Sequence, residues 1–286
     1  MRAKIRDTEI YFDVEGAGLV PDGDRMREKP IAFVVHGGPG ADHTSFKPTF
    51  TPLSQKMQLV YFDHRGQGRS QRGNPATYTL DNNVEDMEAL RQHLGLGKIV
   101  VIGASYGGMV ALTYASRYPA NVSHLMAIVT VADSRFLQRA QATLAKNGTA
   151  SQQATAEHLW NGTFRDEAHL QEYFRIMAPL YSITYNPAAA QPNLHRAILS
   201  ADAINVAFGG WLRTYDIRDQ LHRITAPTLV IAGRHDWICH PEFSEEIAQL
   251  IPNADLRIFE NSGHSIRVDE PEALLDAIAG FIVYQQ

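Results

Sequence analysis

Cysteine is almost missing from this chain: Cys239 is the single one in 286 residues. One thiol can neither close an internal disulfide nor build a cysteine-based zinc site, so no oxidising compartment is required. Long apolar runs are missing as well. Stretches such as 99–102, and 126–132 with Thr130 inside it, fall far short of the ~18–20 residues that cross a bilayer. The first ten residues carry charges where a signal peptide has an apolar run of roughly 7–15. These absences predict a cytoplasmic protein without a membrane partner. Positive charge is not in excess: Lys+Arg 26 against Asp+Glu 31 leaves −5. That field cannot hold a phosphate backbone, which excludes nucleic acid as a partner. Internal repeats and low-complexity tracts are lacking too. A composition of 44% hydrophobic and 20% charged residues excludes disorder and collagen-like repeats.

What is present is an alternation of short β-branched runs with amphipathic helical stretches. Residues 9–14 read as an early strand. Residues 16–30, with Gly16, Gly18, Pro21, Gly23 and Pro30, read as a loop. Strands are expected at 31–35, 59–62, 99–102, 122–131, 227–233 and 255–259. Helical spacing at Val84, Met87, Leu90 and Leu94 predicts a helix over 80–94, with Asp81 placed to cap it. Further helices are expected to about 118 after the 103–108 turn, through Ile251 after the 227–233 strand, and over 271–282. Residues 132–219 break the rhythm: they are rich in Ala, Gln, Asn and Thr and show helical patches around Trp160, Tyr173, Phe174 and Leu194. Alternation of this kind implies an α/β fold with a mostly parallel sheet flanked by helices. The expected organisation is a core of 1–131 and 220–286 carrying a helical cap insertion at 132–219.

Gly103-Ala-Ser-Tyr-Gly107 matches G-x-S-x-G between an apolar strand and a helix. A serine lifted off a strand-to-helix turn needs small neighbours at Gly103 and Gly107, because the backbone there is strained. The following helix N-terminus offers free N–H groups to a developing oxyanion. A dinucleotide turn would need G-x-G-x-x-G and an acid about 20 residues on, which this segment lacks. Ser105 is therefore the candidate nucleophile. In chain order an acid and then a histidine should follow. Asp236 lies just past one strand and His264 just past the next, at the same sheet edge. His264 would take the serine proton, and Asp236 would hold its tautomer. Asp219 and Asp255 are alternatives for the acid, and His235 is the nearest competing histidine. His36-Gly-Gly-Pro-Gly40 follows the 31–35 strand. The amides of Gly38 and Tyr106 would form a two-donor oxyanion hole, with His36 bracing the loop.

Together with Asp63-His-Arg-Gly-Gln-Gly-Arg-Ser70, Gly233-Arg-His-Asp-Trp-Ile-Cys239 and Ser262-Gly-His264, these motifs resemble the α/β-hydrolase superfamily. Within it they resemble the prolyl iminopeptidase-like branch. The resemblance spans residues 36–264 and implies an α/β-hydrolase fold. It also implies a serine hydrolase acting on a small-molecule or short-peptide amide or ester, with 63–70 as a structural turn. A carboxylesterase or lactonase, or an acyltransferase with the same triad, would carry the same residues. Iminopeptidases hold the substrate ammonium with cap carboxylates. The matching segment here reads Ile204-Asn-Val-Ala-Phe208, and an apolar residue cannot pair an ammonium. Asp202 lies close enough in sequence to substitute. Trp160, Phe208, Trp211 and Trp237 are candidates to line an apolar substrate site. No cofactor and no metal are expected, because the triad and backbone amides supply the groups needed.

Overall fold

Strands that read as unbroken apolar runs must be covered on both faces, and the architecture follows from that. The computed structural model describes the backbone of residues 1–284, and the side chains of all of these except Gln191, Asn193, Leu194, Val283 and Tyr284. In chain order the elements are β1 (Arg2–Ile5), β2 (Thr8–Glu15), β3 (Leu19–Asp22), β4 (Arg25–Glu28), β5 (Ile31–Val35), β6 (Gln58–Phe62), α1 (Leu80–His93), β7 (Ile99–Ala104), α2 (Tyr106–Arg117) and β8 (Val122–Ile128). Five helices follow: α3 (Arg135–Asn147), α4 (Ala150–Asn161), α5 (Glu167–Tyr181), α6 (Pro187–Arg196) and α7 (Ala201–Phe208). The chain closes with β9 (Thr228–Gly233), α8 (Pro241–Leu250), β10 (Ala254–Phe259), α9 (Ile266–Asp269) and α10 (Pro271–Tyr284).

Eight strands form one sheet in the order β1-β2-β6-β5-β7-β8-β9-β10. Pairings from β6 to β10 are parallel, and β1 and β2 are antiparallel. In β5, Phe33 and Val35 face one core while Ala32 and Val34 face the other. β7 repeats this, with Ile99 and Val101 against Val100 and Ile102. The order turns back at β5, which pairs with β6 on one side and β7 on the other. Ligands of open α/β sheets bind beyond the strand carboxyl ends at such a reversal. The loops after β5 and β7 carry Gly38 and Ser105.

The five helices α3–α7 leave the sheet after β8 and return before β9. Their two connecting strands of chain touch. Ser134 N–H donates to Tyr215 O at 2.7 Å and Ile217 N–H to Ala132 O at 2.9 Å. The Asp133 carboxylate, buried between them, is held by Arg135 at 2.7 Å, and Arg218 pairs with Asp216 at 2.6 Å.

Three local expectations are corrected, and one strand was not expected. Residues 16–30 are not all loop: β3 and β4 pair as a hairpin turned by Gly23 at φ +64°. Its strands are largely exposed, so no apolar alternation marks them. β1 went unread beneath its charges, although Ala3 and Ile5 are buried between exposed Arg2 and Lys4. The strand expected over 122–131 ends at Ile128, and Val129 turns away at φ +44°. The α1 cap is Thr79, whose hydroxyl accepts from Asn82 N–H, while Asp81 pairs with Arg117.

A buried ion pair fastens the turn after β6 to α1, and the N-terminal hairpin joins it through Asp7. Arg65, just after β6, donates twice to Asp86 of α1 at 2.6 Å and once to Asp7 at 2.9 Å. Arg65 and Asp86 are each 3% exposed, whereas Asp7 is 67% exposed. Removing one partner of such a pair strands a buried charge, which costs about 3–5 kcal/mol. Asp86→Ala should therefore lose about that much stability in a urea titration. A loss under about 1 kcal/mol, the range of an exposed pair, would count against this account.

Candidate active site

Ser105 stands between the last residue of β7 and the first of α2, with φ 56° and ψ −124°. That conformation is strained for a residue with a side chain, by about 1–3 kcal/mol. Both ends of the residue are pinned. Its N–H donates to Ile128 O at 2.9 Å. Its carbonyl accepts from Gly108 N at 2.8 Å, Met109 N at 3.2 Å and the Thr130 hydroxyl at 2.8 Å. The neighbouring glycines are required by space. A Cβ on Gly103 would lie 2.2 Å from Gly107 O, and one on Gly107 only 2.0 Å from Val35 O. Gly108 was not singled out in the sequence, yet its Cβ would meet Thr130 at 2.5 Å.

The loop after β5 runs directly over this turn. A Cβ on Gly37 would lie 3.2 Å from Ser105 Cβ and 3.8 Å from its Oγ. Gly38 follows at φ +117°, a conformation open to glycine, and a Cβ there would strike the amides of Gly40 and Ala41. His36 braces the loop. Its Nε2 accepts from the His64 amide at 3.1 Å, so Nδ1 carries the proton and donates to Gly37 O at 2.9 Å. Burial pushes both imidazoles below the ordinary histidine range, His64 by more. Both rings are therefore neutral braces.

The turn at 63–70 supports that loop. Asp63 is fully buried, and its carboxylate accepts from the His43 amide at 2.9 Å, from His43 Nδ1 at 2.7 Å and from the Arg69 amide at 2.8 Å. Burial acts to raise its pKa, but the bond from His43 and the charges and amides around it prevail and hold it at about 2. Arg65 is committed to Asp86 and Asp7, as described above.

His264 and Asp236 meet directly. His264 Nδ1–H donates to Asp236 Oδ2 at 2.7 Å, and Asp236 Oδ1 accepts from the amides of Ile238 and Cys239, both at 2.9 Å. Gly233 lets the two loops close, since a Cβ there would lie 2.1 Å from Gly263 O. Asp219, Asp255 and His235 are exposed, which leaves them outside this pair. Donor atoms of Asp236, Cys239 and His264 all lie within 4.8 Å of one another. Burial, with the Asp236 charge beside it, pushes the Cys239 thiol well above its ordinary range. A thiol kept protonated is a poor metal ligand, and Asp236 is already spent on His264. Ser105 stands at the same sheet edge as this pair: β7, β9 and β10 run parallel and end at Ala104, Gly233 and Phe259.

Residues 32–271 match the family described as alpha/beta hydrolase fold. The chain belongs to that family. It is 31% identical to Proline iminopeptidase PfmaB of Pestalotiopsis fici over 274 residues, 94% of this chain and 97% of the relative. The solved proline iminopeptidase of Mycobacterium smegmatis superimposes with a TM-score of 0.77 at 22% identity, covering 100% of this chain and 98% of that one. An esterase from Exiguobacterium antarcticum gives 0.76 at 24% identity, with 99% and 98% covered. The two structural likenesses establish the fold. The relatives are hydrolases, and this chain is a hydrolase.

In the hydrolase, three of the four candidate aromatic residues form one buried group. Trp160 packs on Phe208 with centroids 6.3 Å apart and on Trp237 at 6.2 Å. Trp237 meets Tyr181 at 5.5 Å, and Tyr181 meets His264 at 5.4 Å. Trp211 lies elsewhere, 5.9 Å from Tyr106, with its indole N–H donated to Tyr78 O. Tyr181 was missed because a tyrosine at a helix end carries no motif. Ile204 is buried against Gly40, Asn205 is spent on the Phe164 backbone, and Asp202 is exposed. Among the described residues, every buried carboxylate is already committed. Asp42 pairs with Arg69, Asp63 with His43, Asp86 with Arg65, Glu88 with Arg91, Asp133 with Arg135 and Asp236 with His264. No helix among these residues is long and apolar enough to cross a membrane.

Two outcomes follow from these environments. Asp63 has a depressed folded-state pKa, from 3.8 to about 2, so its stabilisation is complete above about pH 4 and disappears as the pH falls toward 2. Asp63→Asn should cost about 2 kcal/mol at pH 7 and much less near pH 2. Urea titrations at both pH values check this, and an equal cost at both would refute it. Cys239 should resist aromatic disulfide reagents at neutral pH and react fully once guanidinium unfolds the chain. Rapid labelling of the folded hydrolase would show that the thiol is not sealed.

Proposed function

We propose that this chain is a serine hydrolase that cleaves small esters or amides with an uncharged, apolar acyl part, by way of an acyl-enzyme on Ser105. The observation that carries the reading is the 2.7 Å bond from His264 Nδ1 to Asp236. It leaves Nε2 as the free basic nitrogen, at the edge where Ser105 stands on its strained turn. Nε2 takes the Oγ proton as Oγ attacks the carbonyl carbon. The negative charge on the carbonyl oxygen is met by the amides of Gly38 and Tyr106. Loss of one such donor costs about 2.7–4 kcal/mol of transition-state stabilisation. The imidazolium, steadied by Asp236, passes its proton to the leaving group. Water then repeats the sequence on the acyl-enzyme. Every group in this scheme comes from the chain itself.

Residues 132–219 serve in this reading as a cap over the nucleophile. The touching strands at 132–134 and 215–217 support those limits. The Trp160, Phe208 and Trp237 group supplies an apolar wall for the acyl part. Because the fully buried carboxylates are committed, none of them is left to pair a free substrate ammonium, and burying such a charge unpaired is costly. Iminopeptidase action is the second reading, favoured by the identity to a protein named proline iminopeptidase.

Ser105→Ala and His264→Ala should each lower kcat on p-nitrophenyl butyrate by roughly ten-thousand-fold or more. Retained turnover would remove the assignment. The same panel separates the two readings. Turnover of butyrate ester and of N-acetylprolyl anilide above that of free prolyl anilide supports the uncharged acyl group. Preference for the free prolyl anilide establishes the iminopeptidase reading instead.

A further inference from the structure

The loop that carries His264 is tied on both sides to the inserted helices. Gly263 N–H donates to Asp269 Oδ2 at 2.9 Å, and Ser265 N–H donates to Tyr181 O at 2.7 Å. Those two amides flank His264. Asp269 belongs to α9, but its carboxylate reaches across to the chain just after α5. Oδ1 accepts from the Ser182 hydroxyl at 2.5 Å, the Thr184 amide at 3.0 Å and the Thr184 hydroxyl at 2.7 Å. Oδ2 accepts from the Ile183 amide at 3.3 Å as well as from Gly263. One oxygen is therefore shared between the inserted segment and the histidine loop. The approach is close: a Cβ on Gly263 would lie 3.0 Å from Tyr181 O. The Tyr181 ring also stands edge-on to the His264 ring.

From this geometry we propose that Asp269 is a positioning residue, which fixes where His264 sits by clamping its loop to residues 181–184. The proposal rests on the reading of His264 as the general base. Its consequence is that the placement of the α5 end is transmitted to the imidazole through one carboxylate and one main-chain bond. Burial acts to raise the Asp269 pKa, but the Ser182 hydroxyl and the amides of Gly263 and Thr184 prevail and keep it below the ordinary range. The clamp is thus a charged acceptor, and charge-assisted hydrogen bonds are the stronger kind. Asparagine cannot replace it, since its amide group would face donors.

The test uses Asp269→Asn and the double variant Ser182→Ala/Thr184→Val, with Thr184→Ser as the conservative control. The double variant alters neither Ser105, Asp236 nor His264. Melting curves, kcat and KM on p-nitrophenyl acetate, and the labelling rate of Ser105 by a small fluorophosphonate are measured on the full chain. Displacement of a catalytic group by about 1 Å costs up to ~100-fold in rate. Asp269→Asn and the double variant should lose roughly 10–100-fold in kcat and in labelling rate, with KM within about two-fold. Thr184→Ser should stay near wild type. If Asp269→Asn fails to fold, the double variant decides alone. Wild-type kcat and labelling in a folded double variant overturn the proposal, as does a change confined to KM. A wild-type chain that neither turns over ester nor labels removes the underlying reading too, so the two failures are told apart.

Discussion

The backbone of Ser105 is the constraint around which the site is built. Its φ of 56° is held only because the neighbouring chain leaves it no alternative. Three donors converge on its carbonyl and its amide is fixed to β8. At about 1 kcal/mol net for a typical hydrogen bond, those ties offset a strain of about 1–3 kcal/mol. The consequences spread outward. Gly107 can lie against Val35 O only without a side chain, so α2 presses onto the end of β5. The loop leaving β5 must then pass directly over the serine. His36 and His64 hold it there as neutral rings, and the Asp63 turn supports those rings from below.

Charge in this hydrolase is used mostly for fixing loops. Asp42, Asp63, Asp86 and Asp133 are buried, and each ties segments distant in sequence through arginine, histidine or main-chain amides, Asp133 by way of Arg218 at 3.6 Å. Replacing any of them strands its partners in a low-dielectric setting, which is the costly direction. The same commitments leave none of these buried carboxylates free to serve as a counter-ion. In the proposed reading, that suits a substrate recognised by apolar contact and by its carbonyl oxygen.

The core strands could be read from sequence because both of their faces are buried, which leaves apolar runs such as 99–102. Ser105, Asp236 and His264 stand out as candidates for a related reason. Ser105 and Asp236 each follow such a run, whereas His264 follows the largely exposed β10, and all three sit near glycines whose absent Cβ the structure explains. Elements whose energetics are not apolar were harder to see. The β3–β4 hairpin is exposed and polar, so its pairing leaves no periodic trace. Asp81 reads as the cap by residue type, and only the geometry shows that it is turned toward Arg117 while Thr79 caps the helix. Tyr181 and Asp269 were invisible because their partners lie far along the chain, 84 residues away for the Tyr181 carbonyl and Ser265, and 87 for Ser182 and Asp269.

The inserted helices touch both halves of the proposed chemistry. At one side Ser200 N–H donates to Gly40 O at 2.9 Å, Ile198 N–H donates to Asp42 at 3.0 Å and Arg72 donates to Leu199 O at 2.8 Å. These bonds place the start of α7 against the loop of Gly38. At the other side the end of α5 holds the loop of His264. The segment connecting α5 to α7 is therefore bonded to the loop of Gly38 at one end and, through Tyr181 and Asp269, to the loop of His264 at the other. A substrate that spreads α5 from α7 strains both attachments at once, whereas one that fits between them leaves both loops where the sheet put them. Selectivity would then reside in the spacing of two helix ends as much as in the walls of the pocket. Packing away from the proposed site, such as Tyr173 of α5 on Phe164 of the preceding loop, would help to set that spacing, so a residue that lines no wall of the pocket would share in choosing the substrate.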